Sequence, residues 1–502
     1  MARRVENNST QTVAIVGGGL GGTLCALFFA KHGIKVHLFE LRSDIRTQKV
    51  GGTLCALFFA KHGIKVHLFE LRSDIRTQKV VKGRSINMAL SRRGRDALAY
   101  VNCEDMIVRN GIPMRARMLH DLKCHTTPVP YGTRPEHEVI SIDRRILNEL
   151  LLDEASKYPQ INIHFQHKFV HWNSEEKSAT FQTASGEHVD FKVDGLIGYD
   201  GCHSGVRAAM MKLDSVDFSQ EYIDTNYMEF CIPAKNNEYA MAVNYLHIWP
   251  RHEFMLIALP NQDKSFTTTL FLPLPIFQKI TTTDELLTFF QTHFPDAISF
   301  IGRENLIETY FSSQPLPLVS IKCSPHASVD GNILLMGDAA HSMVPFYGQG
   351  MNAAFEDTLV LFEKLKENNF QLSKSFIDYD KNRRENAHAI VDLSMYNHHE
   401  MRHLVTQRSY YWRKKIDNFL YRIVPQWWIP LYTMVTFTRI PYKQCLELRK
   451  RQDNILKILR LIGYSIIGLY ALKQFAIYVI KPFAIQFIVR KILPKMVADQ
   501  VV

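Results

Sequence analysis

Gly17, Gly19 and Gly22, followed by Glu40, have the types and the spacing that grip a dinucleotide. In the run VAIVGGGLGGTLCALFFAKHGIKVHLFE an apolar strand at residues 13–16 feeds the glycines, an apolar helix runs to Gly33, and a second strand ends at Glu40. Gly17 allows the tight turn, Gly19 lets a pyrophosphate approach the backbone, and Gly22 lets helix and strand pack closely. The helix N-terminus then offers amide dipoles to the phosphates. Glu40 would accept hydrogen bonds from a ribose hydroxyl pair. Alone, a GxGxxG is a weak signal, because glycine-rich turns also serve as plain connectors.

Two later segments strengthen it. In LIGYDGCHSGVR, residues 196–207, an apolar strand ends in Asp200 and Gly201 at a turn, and Ser204 and Arg207 follow on the next helical turn. An Asp-Gly pair by itself is more often just a turn. In ILLMGDAAHSMVPFYGQGMNAAFEDTLVL, residues 333–361, a strand leads to Gly337 and Asp338. A loop with Pro345, Gly348, Gln349 and Gly350 comes next, and a helix begins near Met351. Asp338 can bond a polyol hydroxyl, and the loop glycines let a flat ring lie against the backbone. The helix N-terminus points partial positive charge at whatever binds there, which suits an anionic reduced flavin.

The elements that must position these residues contain an anomaly. Residues 21–50 recur letter for letter at 51–80, but the positions equivalent to the glycine turn in the second copy are Thr47, Gln48, Lys49 and Val50. Their side chains would block the close backbone approach, so only the first copy can bind a pyrophosphate. Either copy could supply the second strand. A short connection after Gly33 favours residues 34–40, which makes the other copy an insertion of one helix and one spare strand. Identity without a single substitution points to a recent in-frame duplication or a flaw in the gene model rather than to a structural repeat.

Further along, Ser91 is a helix N-cap, residues 144–158 read as a helix by their leucine spacing, and residues 161–170 alternate as a strand. Residues 226–273 read as several strands joined by turns at Pro250 and at 260–264. From about Leu359 the pattern is mostly helical. The expected fold is α/β. A Rossmann-like FAD-binding domain (1–215 and 316–395) is interleaved with a β-rich substrate domain (216–315), and a helical, membrane-associated C-terminal region (396–502) follows.

The three segments in this order resemble the class A flavoprotein monooxygenases, aromatic hydroxylases that bind FAD. GRSINMALSRRG, GIPMRARM, PYGT, YLHIWPR, DLSMYN and IPLYTMVTFTRI resemble, within that class, the kynurenine 3-monooxygenase family. The likeness runs from about Thr12 to Lys443 and is interrupted only by the extra copy. It implies that Gly17, Gly19, Gly21, Gly22, Glu40 and Arg42 hold the ADP end of FAD, with Ala89, Arg144 and the backbone at Phe169 nearby. It places Asp338 on the ribityl and pyrophosphate region, and Met351 and Asn352 against the isoalloxazine ring. For the substrate, L-kynurenine, it implies Arg117, Tyr131, Asn397 and Tyr432. Arg117 suits a carboxylate through its planar fork of donors. The resemblance further implies that NADPH reduces FAD and that O2 supplies the oxygen delivered to the aromatic ring, a step of tryptophan degradation on the route to NAD. The cofactor carries the hard step, so no side chain is assigned as catalytic acid or base.

Composition fits a folded protein of two or three domains: 502 residues, 46% hydrophobic and 22% charged. The net charge of +11 is concentrated at residues 439–502, which hold 12 Lys and Arg against 3 Asp and Glu. That placement argues against a nucleic-acid groove and for a basic tail beside a lipid surface. Within the tail, residues 461–480 are apolar apart from Lys473 and Gln474, and a second apolar stretch follows Pro482, so a hydrophobic membrane tail is expected at about 461–489. The 8 cysteines show no metal-ligand spacing and read as reduced, and the N-terminus lacks the apolar core of a secretory signal. By the resemblance, the expected location is the mitochondrial outer membrane, with the catalytic body facing the cytosol. Two rival readings remain: a membrane-bound flavin hydroxylase or reductase acting on a quinone or lipid, and an inert protein whose duplication spoils the FAD site.

Overall fold

The structure is a computed structural model that describes residues 12–16, 35–39, 66–70, 74–77, 87–157 and 161–483. A six-stranded, wholly parallel sheet forms its base. In order across the sheet the strands are Ile161–Phe165, Val66–Glu70, Lys35–Phe39, Thr12–Val16, Gly195–Gly198 and Ile333–Leu335. Strands buried on both faces read as unbroken apolar runs, and Leu196, Ile197, Ile333, Leu334 and Leu335 are all fully buried.

Both copies of the repeat contribute a strand. Lys35–Phe39, from the first copy, pairs with Thr12–Val16. Val66–Glu70, from the second, lies one strand further out, about 4.8 Å. It pairs with the first copy in a register of identical residues: Val36 opposite Val66, His37 opposite His67, Leu38 opposite Leu68. The spare strand therefore widens the sheet. The glycine turn, Glu40 and Arg42 lie outside the described residues.

A second sheet of seven strands runs in the order Leu316–Ser324, Asp217–Ile232, Phe266–Pro273, Phe254–Pro260, Tyr245–Arg251, Ala116–His120, Thr126–Pro130. It draws strands from outside residues 216–315 at both ends, so the two layers are woven together more deeply than a simple insertion. One face packs Phe230, Trp249, Leu256 and Leu270 against the helix Thr283–His293, which starts with a capping box between Thr282 and Glu285. Two turns differ from the reading of the sequence. Pro250 sits inside a strand, opposite Met255, and the chain reverses at His252 instead, with φ of 59°. The expected strand at 161–170 is two strands, Ile161–Phe165 and His167–Asn173, broken where Gln166 takes φ of 67°.

The described chain divides into two compact units, residues 1–443 and 444–502. The long helices Leu372–Arg402 and Arg408–Ile423 fall in the first. A helix that begins at Tyr442, the next-to-last residue of the first unit, continues through the second to Phe483, long and apolar enough to cross a membrane, with none of its apolar window buried.

Candidate active site

The helix Gly350–Glu367 starts at the floor of a cavity of about 320 Å³. Its start is built by the preceding loop. The 3-10 turn Pro345–Tyr347 ends at Gly348 in the left-handed region, φ 63°, where an added Cβ would stand 3.0 Å from the Cβ of Ala89. A residue with a side chain would be strained there and would press on the strand Asn87–Leu90. Gly337 is equally constrained, with φ of 55° and the Tyr199 ring 2.8 Å from where its Cβ would be.

The first two turns of this helix are clamped from behind by buried ion pairs. Arg383 bonds Asp357 at 2.7 Å, Glu356 at 2.8 Å and the Ala353 carbonyl at 3.1 Å. Arg93 bonds the other oxygen of Glu356 at 2.6 Å and the carbonyls of Val435 and Ile440. Asp357 also accepts from His341 at 2.7 Å and from the Gly337 amide at 2.9 Å, so one carboxylate ties the helix to the turn that presents Asp338. Burial opposes ionisation of both acids, but for Asp357 the facing His341 and Arg383, and for Glu356 the facing Arg93 and Arg383, hold the carboxyl below its ordinary value.

Across the cavity lies Arg117, buried, on the strand Ala116–His120. Its guanidinium sits 4.9 Å from the Tyr432 ring centroid, and that ring stacks between Tyr131 (5.3 Å, 11°) and Tyr347 (5.6 Å, 10°). Glu400 is its only ion-pair partner among the described residues, at 3.3 Å, and its Nε has no hydrogen-bond partner among them. Burial works against the charge, but the oxygens of Tyr410, Tyr432 and Glu400 more than offset it, so the guanidinium's pKa stands above its ordinary value. A carboxylate entering the cavity meets a buried cation with donor capacity to spare.

The family of the FAD binding domain matches residues 10–394. A kynurenine 3-monooxygenase of Anopheles gambiae is 48% identical over 476 residues, 94% of this chain and 91% of that protein. One of Sus scrofa is 45% identical over 435 residues, covering 87% of this chain and 86% of that one. The chain belongs to the kynurenine 3-monooxygenase family. Solved structures share its fold at low identity. A tetrameric 2-methyl-3-hydroxypyridine-5-carboxylic acid oxygenase has a TM-score of 0.59 at 15% identity, covering 80% of this chain and 95% of that one. Pseudomonas aeruginosa PqsL, in complex with 2-aminobenzoylacetate, also reaches 0.59, at 14% identity, covering 79% of this chain and 97% of that one.

The cavity fits the FAD of this kynurenine 3-monooxygenase family member. Ala89, Arg144, Asp338 and Met351 line it together with Arg117, Tyr131 and Tyr432. The backbone from Gly348 to Met351 is open to it, and an added Cβ at Gly350 would meet nothing closer than Met343 at 3.9 Å. The Oδ1 atom of buried Asp200 has no hydrogen-bond partner among the described residues.

Asn352, Asn397 and Phe169 do not line the cavity. Asn352 is fully buried. It accepts from the Ser91 amide at 2.8 Å and donates to the Ala89 and Gly348 carbonyls at 2.8 and 2.7 Å. Asn397 donates to the Phe346 carbonyl at 2.7 Å. Both hold the walls. Phe169 packs under the helix Gly205–Leu213, with Trp172 and Val206. Sequence reasoning passed over Glu400, three residues after Asn397, as well as Tyr347, which stands just before the loop glycines. Among the described residues no group of His, Cys, Asp and Glu could hold a metal ion.

Proposed function

We propose that this chain hydroxylates L-kynurenine to 3-hydroxykynurenine, with FAD as resident cofactor and NADPH and O2 as co-substrates. One oxygen atom of O2 ends on the ring carbon beside the amino group and the other leaves as water, with two electrons from NADPH. Bound FAD supplies the redox chemistry, taking electrons from NADPH and activating O2. Gly348 to Met351 and Ala89 form the surface on which its ring would rest, and Asp338, in the same lining, would bond its polyol chain. The protein's own work is to bind, orient and dry. Arg117 takes the amino-acid carboxylate, Tyr131 and Tyr432 flank the chain, and Leu246, Ile257 and Phe271 close an apolar wall that keeps water from the reacting centre. The amino group of kynurenine already makes the target carbon electron-rich, so no side chain needs to serve as acid or base.

The observation that carries this reading is Arg117: a buried cation in an aromatic pocket with a donor left over. A quinone offers that cation no carboxylate, and a lipid tail offers the stacked tyrosines no aromatic ring. The test is NADPH oxidation by the purified, flavin-loaded chain with and without kynurenine, with the product identified by mass. Kynurenine-stimulated oxidation yielding 3-hydroxykynurenine is expected; flavin-bound protein that kynurenine does not stimulate would overturn the assignment.

The tail carries a second part of the proposal, attachment to the mitochondrial outer membrane with the body in the cytosol. The helix Tyr442–Phe483 supports it, since Ile466, Ile467, Leu469, Tyr470 and Leu472 are all exposed. Protease shaving of intact mitochondria from expressing cells tests it: loss of the body with the outer membrane sealed is expected, and protection would contradict it.

A further inference from the structure

The helix Arg408–Ile423 is built inside out. Its exposed side carries Trp412, Ile416, Phe419 and Ile423, at spacings of four, three and four residues, with exposures of 65%, 41%, 62% and 60%. These fall on one stripe of a 3.6-residue helix. Trp427, just beyond the helix, is 74% exposed. The inward side is the polar one. Asp417 is buried there, where it accepts from Arg413 at 2.9 Å and from Trp428 at 2.9 Å, and Tyr421 is buried beside it. A surface helix in water shows the opposite pattern, and a continuous apolar stripe of this kind marks a contact surface.

The charge along the helix says what covers it. Arg408, Lys415 and Arg422 are exposed beside the stripe, and the helix's one acid, Asp417, is turned inward. Two tryptophans, an aliphatic and aromatic stripe and a rim of basic residues are the composition of a helix lying in the interface of an anionic bilayer. We infer that Arg408–Ile423, with Trp427, is a second membrane contact, an interfacial helix on the catalytic body that presses its Trp412–Ile423 stripe among the headgroups of an anionic lipid surface.

The inference rests on the reading of the tail as membrane-attached, and tryptophan separates the two. The chain has 5 tryptophans: Trp172, Trp249 and Trp428 are buried, Trp412 and Trp427 are exposed, and none lies in residues 444–502. The experiment mixes the full-length, FAD-loaded protein with phosphatidylcholine–phosphatidylserine vesicles whose acyl chains are brominated, a contact quencher. Fluorescence and co-flotation are measured together. The wild type is expected to float and to lose the Trp412 and Trp427 share of its emission. Trp412→Ser/Trp427→Ser should float with its remaining emission unquenched. Phe419→Asp/Ile423→Asp should float through its tail but lose most of the quenching, with kynurenine turnover in detergent unchanged. Wild-type protein that floats without quenching overturns the inference and leaves the tail reading standing; a second copy of the chain on this face would give that result. Wild type that is quenched, with Phe419→Asp/Ile423→Asp no longer floating, supports the interfacial helix and removes the tail. Wild type that does not float at all overturns both.

Discussion

Two buried arginine sites, one lining the cavity and one behind the helix that starts at its floor, are finished to different degrees. Arg383, behind the helix Gly350–Glu367, spends its guanidinium on Asp357, Glu356 and a backbone carbonyl at 2.7, 2.8 and 3.1 Å. Arg117, in the cavity lining, has one acid at 3.3 Å and an Nε with no partner among the described residues. A cation whose three nitrogens each have a protein partner is committed to the structure, and one with a nitrogen left over in a cavity has room for a ligand. Burial and a raised pKa are common to both, so neither distinguishes them; what distinguishes them is how completely each is satisfied.

The strongest way to break the comparison is on the satisfied side. Arg383→Met should leave Glu356 and Asp357 buried without their shared cation, lowering stability by about 3–5 kcal/mol. Thermal unfolding followed by circular dichroism reads the loss, and a near-normal midpoint would show that the network contributes little. On the unsatisfied side, Arg117→Ala should cost about 1.5–3 kcal/mol of transition-state binding, roughly a 10- to 150-fold fall in kcat/KM for kynurenine. Flavin content and melting should stay near wild type, and a variant that lost flavin or folding instead would move Arg117 to the structural class.

Two smaller effects sharpen the boundary. Asn352→Ala removes the acceptor of the Ser91 amide and the donor to the Ala89 and Gly348 carbonyls, so stability should drop by about 1–3 kcal/mol and flavin should dissociate more readily on gel filtration. Retained flavin with a weakened kynurenine KM alone would contradict its role in the wall. Tyr432→Phe keeps the ring between Tyr131 and Tyr347 and loses only its hydroxyl, so kcat/KM should fall by roughly 2- to 13-fold, the worth of about 0.5–1.5 kcal/mol. A fall as large as that of Arg117→Ala would mean that the hydroxyl, not the stacked ring, carries the recognition.

The extent to which this was legible in sequence follows the range of the interactions involved. The strand, turn and helix around Asp338 and the apolar strand before Asp200 are local patterns, and they occur where residue spacing places them. Arg117, Tyr131 and Tyr432 were drawn from three separate motifs and line one cavity. The roles of Asn352 and Asn397 were not legible, because a motif shows that a residue is near a site but not which way its amide faces. The clamp of Arg93, Glu356 and Arg383 joins residues 263 and 27 positions apart, beyond any local pattern. Periodicity marks an apolar stripe on residues 412–423 but not which face turns inward, so the inverted helix needed the tertiary structure.

The central claim is that Arg117 is held ready for the carboxylate of an aromatic amino acid. Its most direct test is titration of flavin absorbance with kynurenine and with kynuramine, which lacks the carboxylate, in wild type and in Arg117→Ala. Wild type should prefer kynurenine by roughly 10- to 150-fold, the worth of a charge-assisted hydrogen bond of ~1.5–3 kcal/mol, and the variant should bind the two alike. An undiminished preference in Arg117→Ala would contradict the account.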